Sequence, residues 1–210
     1  MRKHLVLLAA AATIGLAAHD PLPEMKIGDA LPKADLRMKD VSGKDLSLQE
    51  IAGKNGLLVI FSCNTCPFVV GSDGSEGWEG RYPALATYCG SNNIGFVLVN
   101  SNEAKREAGD GMADMQAHYK EKGYKGRYVI DNGHAVADAF GARTTPHVFL
   151  FDGAGKLAYK GAIDDNVDSA KEVKEHYLQQ AMEAQVAGKA IPTPVTRNLG
   201  CSIKRMPHVH

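Results

Sequence analysis

Charge of one sign is not in excess in this chain. Its 24 basic residues meet 24 acidic ones, for a formal net charge of zero. That balance removes the electrostatic case for a nucleic-acid partner or an anionic membrane surface. Cysteine is sparse too, at four residues, so the fold is not a disulfide scaffold. No second C-x-x-C and no H-x-x-x-H is present, which argues against a closed structural zinc site. Internal repeats and low-complexity tracts are absent. At 210 residues the chain can bury one good core and is too short to suggest two.

Long apolar runs are also missing. The longest, Leu5 to Ala18, is shorter than the roughly 20 residues needed to cross a bilayer. It follows Arg2 and Lys3 and ends near Gly15-Leu16-Ala17, a small-x-small pattern suited to signal peptidase. Residues 1–17 therefore read as a cleaved secretory signal, with an uncleaved anchor as the alternative. The expected location is outside the cytosol, in a bacterial periplasm, with no stable membrane insertion after cleavage. Disulfides persist there, which changes the meaning of the cysteines.

What the chain does have is Leu57-Leu58-Val59-Ile60-Phe61-Ser62-Cys63-Asn64-Thr65-Cys66-Pro67. A continuous apolar run, expected of a strand covered on both faces, leads straight into a C-x-x-C pair. If that pair opens a helix, the positive end of the helix stabilises a thiolate on the first cysteine. Such a thiolate attacks disulfides and its neighbour resolves the mixed disulfide. Cys63 is thus the expected nucleophile and Cys66 the resolving thiol, with Asn64, Thr65 and Pro67 around them. The remaining pair, Cys89 and Cys201, allows a second bridge. Cys89 as a buried inert thiol, and Cys201 as a free thiol or one that resolves the active site, stay open beside it.

Elsewhere, Leu31 to Leu48 alternates around Ser42-Gly43-Lys44 and predicts a β-hairpin, and Ser47 to Glu50 has capping-box spacing. Helix is predicted from Tyr82-Pro83 to Cys89, and strand from Ile94 to Val99. Asn102 to Lys122 reads as a helix broken at Gly109-Asp110-Gly111. A short strand at Tyr128–Ile130 and a short helix at His134–Phe140 follow. Val148–Phe151 and Leu157–Lys160 form a second hairpin, and Val167–Ala187 a long amphipathic helix. The glycine-rich loop from Gly71 to Gly80 carries Trp78, either as part of partner recognition or as a packed lid. The element order gives an α/β fold, a central mixed sheet flanked by helices with the thiols where a central strand meets a helix.

The Cys63-x-x-Cys66-Pro67 turn, the Thr145-Pro146 step and the Phe151-Asp152-x-x-Gly155-Lys156 hairpin together resemble the thioredoxin-like superfamily. Within it they are similar to exported redoxins, the TlpA-like and AhpC/TSA branch. The tail from Gly188 to Lys204 resembles redoxins with a C-N-x-C-P active site. The resemblance implies a thioredoxin-like domain over 20–187, an N-terminal hairpin extension and an extended tail over 188–210. It implies that Pro146 is a cis-proline facing the thiols, and that the Thr145 backbone docks the substrate chain. It further implies an enzyme that exchanges electrons with disulfide-bearing or dithiol proteins, served by an upstream donor.

No cofactor is expected, because the dithiol itself carries the electrons. Two positions depart from the pattern. Leu57 stands where thioredoxins hold an Asp beneath the site, and Val69 where TlpA-like reductases often hold a Glu, so any base must come from elsewhere. The alternatives are a peroxiredoxin-like peroxidase, in which Cys63 replaces the usual Thr before Cys66-Pro67, and a copper-binding module of the SCO type using His147. The latter family spaces its cysteines by three residues rather than two, so no metal site is expected. The terminal Pro207-His208-Val209-His210 reads as a frayed end rather than a metal ligand set.

Overall fold

The computed structural model describes residues 23–206; the signal segment expected at 1–17 and the terminal 207–210 lie outside the described residues. The chain enters through the expected hairpin, β1 (Met38–Asp40) and β2 (Asp45–Leu46), which pair antiparallel. Ser47 and Glu50 close the predicted capping box at the start of α1 (Leu48–Ile51). Then come β3 (Leu57–Phe61), the single turn α2 (Pro67–Val70), and α3 (Tyr82–Ser91). β4 (Gly95–Asn100), α4 (Met112–Glu121), β5 (Arg127–Ile130) and α5 (Ala135–Phe140) continue the alternation. The two-residue β6 (Thr144–Thr145) leads into β7 (His147–Phe151) and β8 (Leu157–Gly161). The last elements are α6 (Tyr177–Val186) and β9 (Cys201–Ser202).

Seven strands form one mixed sheet in the order β2-β1-β5-β4-β3-β7-β8. β3 pairs parallel with β4 and antiparallel with β7, so it is central, and all five of its residues are buried. Its side chains alternate between two cores. Leu58 and Ile60 join Cys63, Cys66, Trp78 and Tyr128 on one face, while Leu57, Val59 and Phe61 pack with Phe140 and Phe149 on the other. An apolar run without polar alternation is what a strand buried on both faces requires.

Three expectations are corrected. The helix predicted over Val167–Ala187 starts only at Tyr177; before it lies a short 3₁₀ turn at Ala170–Glu172. Asn166 Oδ1 accepts the main-chain N–H groups of Asp168 and Ser169, and Asp165 Oδ1 those of Lys174 and Glu175. These side chains take the donors a helix would use, and the segment stays irregular. Asn102–Lys122 is not a broken α-helix either: its first half holds only a short 3₁₀ turn at Glu103–Lys105, and the α-helix is Met112–Glu121. Gly109, at φ +102°, passes so close to the active-site turn that an added Cβ would meet Thr65 Cγ2 at 2.8 Å. Finally, the tail is not merely extended over the surface. It returns to pair β9 with β6.

Candidate active site

β3 ends at Phe61, and the chain beyond it drops the two thiols into the core beneath the sheet end. Cys63 and Cys66 are 1% and 3% exposed, whereas Thr65 and Pro67 are exposed above them. The helix opens from an N-cap three residues beyond Cys63. Pro67 is its first residue, so Cys66 rather than Cys63 occupies the N-cap, in extended geometry at φ −91°, ψ 123°. A proline favours the first helical position and pushes the residue before it out of the helical region, which explains the offset.

Thr145 meets both sulfurs. Its hydroxyl lies 3.2 Å from Cys63 Sγ, and its carbonyl oxygen accepts from Cys66 Sγ at 3.1 Å. The Thr145–Pro146 bond is cis, as the resemblance implied. Thr145, singled out from a step about eighty positions away in sequence, therefore sits directly on the two thiols.

Asn64 and Thr65 are held by a residue that sequence reasoning treated only as a helix break. Asp110 Oδ1 accepts the Asn64 main-chain N–H at 2.7 Å, and Oδ2 accepts the Thr65 hydroxyl at 2.8 Å. The amides of Asn100 and Asn102 donate to the same carboxylate at 2.9 and 3.0 Å. The Tyr128 hydroxyl donates to Asn64 Oδ1 at 2.9 Å. Arg106 closes the loop by donating to Asn100 Oδ1 and to the Asp110 carbonyl. The only sequence signal was an Asp between two glycines after a buried strand. The buried carboxylate missing at Leu57 and Val69 thus arrives from a distant loop, while those two positions are plain core.

Electrostatically the two thiols are driven apart. Cys66 is pulled down to about 5, chiefly by the hydrogen bond from Cys63, with Cys201 and Thr145 adding to it against the cost of burial. Cys63 is pushed well above the ordinary thiol range by that same hydrogen bond, by burial and by the negative charge of Asp110. The lowering falls on Cys66 and the raising on Cys63, through the hydrogen bond the two thiols share.

The four cysteines are all free thiols, so the possible Cys89–Cys201 bridge is not formed. Cys89 is fully buried on α3, its thiol 3.7 Å from Met182 Sδ, and burial raises it to about 12. It has the surroundings of an inert core thiol. Cys201 instead lies on β9 opposite Thr145. His147 does not face the thiols. It is paired with Phe61 and stacks on Phe149 at 4.5 Å, on the opposite face of the sheet from Cys63 and Cys66. The alternation of β7 decides this, since Val148 takes the thiol-side face. Trp78 is 2% exposed and donates to Asp164 at 2.6 Å, which makes it packing beside the site rather than a docking surface. Among the described residues no group of three or more His, Cys, Asp or Glu side chains is arranged to hold a metal ion.

The Redoxin family matches residues 26–175, which take in the thiols, the Asp110 loop and the Thr145-Pro146 step. The chain belongs to the Redoxin family. No curated protein matches this redoxin. Among solved structures it is similar to an uncharacterized conserved protein from Geobacillus kaustophilus. The two are 27% identical, with 88% of this chain and 94% of the other covered, at a TM-score of 0.78. A hypothetical protein from Sinorhizobium meliloti 1021 is 30% identical over 88% of this redoxin and 97% of its own length, at a TM-score of 0.74. Peroxidoxin BcpB from Mycobacterium tuberculosis shares 14% identity over 79% and 98%, at a TM-score of 0.56. That likeness bears on the fold, which is thioredoxin-like.

Proposed function

We propose that this redoxin is a thiol-disulfide oxidoreductase that exchanges electrons with protein disulfides through Cys63 and Cys66. Membership of the Redoxin family supports thiol redox chemistry in general. The narrower reading rests on one observation: two buried thiols, split in acidity, both held against Thr145. A peroxidase requires one activated thiol, whereas a second thiol hydrogen-bonded to the first is the arrangement that closes a disulfide.

In this reading the Cys66 thiolate attacks a substrate disulfide, forming a Cys66–substrate disulfide and releasing one substrate thiolate. Cys63 then attacks the Cys66 sulfur, and its proton passes to the second departing substrate sulfur. The substrate gains two electrons and the enzyme is left with a Cys63–Cys66 disulfide, which a dithiol donor reduces. Asn64, Thr65 and Pro67 form the rim that meets the partner, and Thr145-Pro146 the docking step once β9 leaves the edge it now fills. No described helix is long and apolar enough to cross a membrane. We place the protein in the periplasm, on the Arg2-Lys3 start and the apolar segment that follows.

The test is trapping of mixed disulfides. Cys63→Ser should accumulate partner proteins linked through Cys66, because the resolving thiol is gone. Trapping through Cys63 in Cys66→Ser alone would reverse the roles, and no partner in either variant would count against exchange. One observation favours a second reading: the thiolate falls on the cysteine of Cys66-Pro67, where peroxiredoxins place theirs. Rapid oxidation by stoichiometric hydroperoxide, lost in Cys66→Ser, would establish it.

A further inference from the structure

The edge of Thr145 that a docked substrate chain would pair with is already occupied, and the occupant is this chain's own tail. β9 runs antiparallel to β6, with Thr144 opposite Ser202 and Thr145 opposite Cys201. Gly200 permits the approach, since a Cβ there would stand 2.4 Å from the Thr145 carbonyl oxygen. The seat is anchored on both sides. Asn198 donates to Thr144 Oγ1 at 2.8 Å, Ile203 N–H donates to the Arg143 carbonyl, and Lys204 N–H donates to Asn102 Oδ1. The Ile203 side chain is buried.

Directly opposed residues in an antiparallel ladder put their side chains on the same face, with Cβ atoms about 4.5–5.5 Å apart. The Thr145 hydroxyl faces Cys63, so the Cys201 side chain is on the face of the thiols. It packs against the core cluster that contains Cys63 and Cys66, near enough to help lower the Cys66 thiol. Cys66 therefore stands between two thiols, Cys63 within the motif and Cys201 from the tail.

We propose that Cys201 is a third redox-active residue, which attacks the Cys66 sulfur from a tail strand seated as an internal substrate. The step balances without an added oxidant once the motif disulfide exists. The Cys201 sulfur bonds to Cys66, the Cys63–Cys66 bond breaks, and the Cys201 proton ends on Cys63. No net electrons are gained or lost, and the disulfide has moved from Cys63–Cys66 to Cys66–Cys201. Cys63 suits the role of the group left protonated, since the Asp110 charge disfavours its thiolate. This inference rests on the exchange reading for its starting disulfide.

The test uses full-length Cys63→Ala, reduced and then exposed to about 0.1 mM glutathione disulfide. Disulfides are mapped by mass spectrometry of unreduced peptides. A tethered thiol has an effective concentration of at least the millimolar order, so the Cys66–Cys201 disulfide should exceed the Cys66–glutathione adduct roughly tenfold. Dominance of the adduct, with Cys201 free to alkylation, or a Cys89–Cys201 link instead, overturns the proposal. Gly200→Val, which forces the strand off Thr145, should lower the Cys66–Cys201 yield in the same background; an unchanged yield overturns the seated strand. Should Cys63→Ala not fold, the wild-type protein in graded glutathione buffers decides. A Cys66–Cys201 species with free Cys63, in a share independent of protein concentration, supports the relay. Cys63–Cys66 as the sole disulfide at every ratio overturns the relay and leaves exchange standing. Absence of both disulfides removes the two readings together.

Discussion

Asp110 accepts the main-chain N–H of Asn64 at 2.7 Å, across forty-six positions of sequence. That contact ties the loop after β4 to the turn between the thiols, and it puts a buried negative charge behind Cys63 but not behind Cys66. That charge adds to the hydrogen bond between the thiols and to burial in raising Cys63.

Replacing this carboxylate with an amide tests the point. In Asp110→Asn one oxygen still accepts from Asn64, but the new NH2 faces the donors of Thr65 and Asn102. Leaving such buried donors unpaired costs about 1–3 kcal/mol, so thermal unfolding should move down accordingly. Removal of the charge should also let the Cys63 thiol fall back towards its ordinary range. Its alkylation rate against pH reads this directly; an unchanged profile would show that Asp110 acts only as a clasp.

The Cys66 thiolate sets the acid limb of reactivity. With Cys66 near 5, thiolate absorbance near 240 nm in the reduced protein should persist through neutral pH and fade only as pH drops through about 5. Cys63→Ala removes the largest stabilising hydrogen bond, so the midpoint should rise. A midpoint that stays near the ordinary thiol value of 9 in the wild type would contradict the assignment.

Burial holds His147 at about 4, with Lys160 and Arg143 opposing its protonation and Glu24, 3.9 Å away, favouring it. The unfolded chain therefore binds a proton that the folded one refuses between about 4 and the ordinary 6.5. Stability attributable to this group is full above that window and is lost as pH falls through it. Cys66, lowered from 9 to about 5, acts in the same direction over a higher range. His147→Gln, compared with wild type by denaturant unfolding, should flatten the loss between pH 6.5 and 4 while leaving the Cys66 part in place.

Phe140 packs edge-on against Phe61, Phe149 and Phe151 at centroid distances of 5.2–5.6 Å, on the face away from the thiols. Phe140→Ala should destabilise by about 3–5 kcal/mol through the lost contacts and the cavity left behind. Because the sheet lies between, the Cys66 midpoint should not move. A shifted midpoint in a folded variant would show that the two cores are coupled.

Local chemistry was legible in the residues themselves. The run Leu57–Phe61 announced a doubly buried strand, because no polar alternation is tolerated there. Ser47 and Glu50 announced a cap. These signals hold within a few residues, where backbone geometry and hydrogen-bonding capacity are set by the side chains present. Where they competed, local reading failed. Asn166 and Asp165 captured main-chain donors and denied the first half of the helix expected from Val167.

The tertiary structure alone brought the Asp110 carboxylate to the turn between the thiols and set Cys66 at the N-cap of a helix that starts at Pro67. It alone turned His147 to the far face, through the register of β7 on β3. And it alone seated Cys201 against Thr145, since strand pairing between residues so far apart in sequence leaves no periodic mark on either segment.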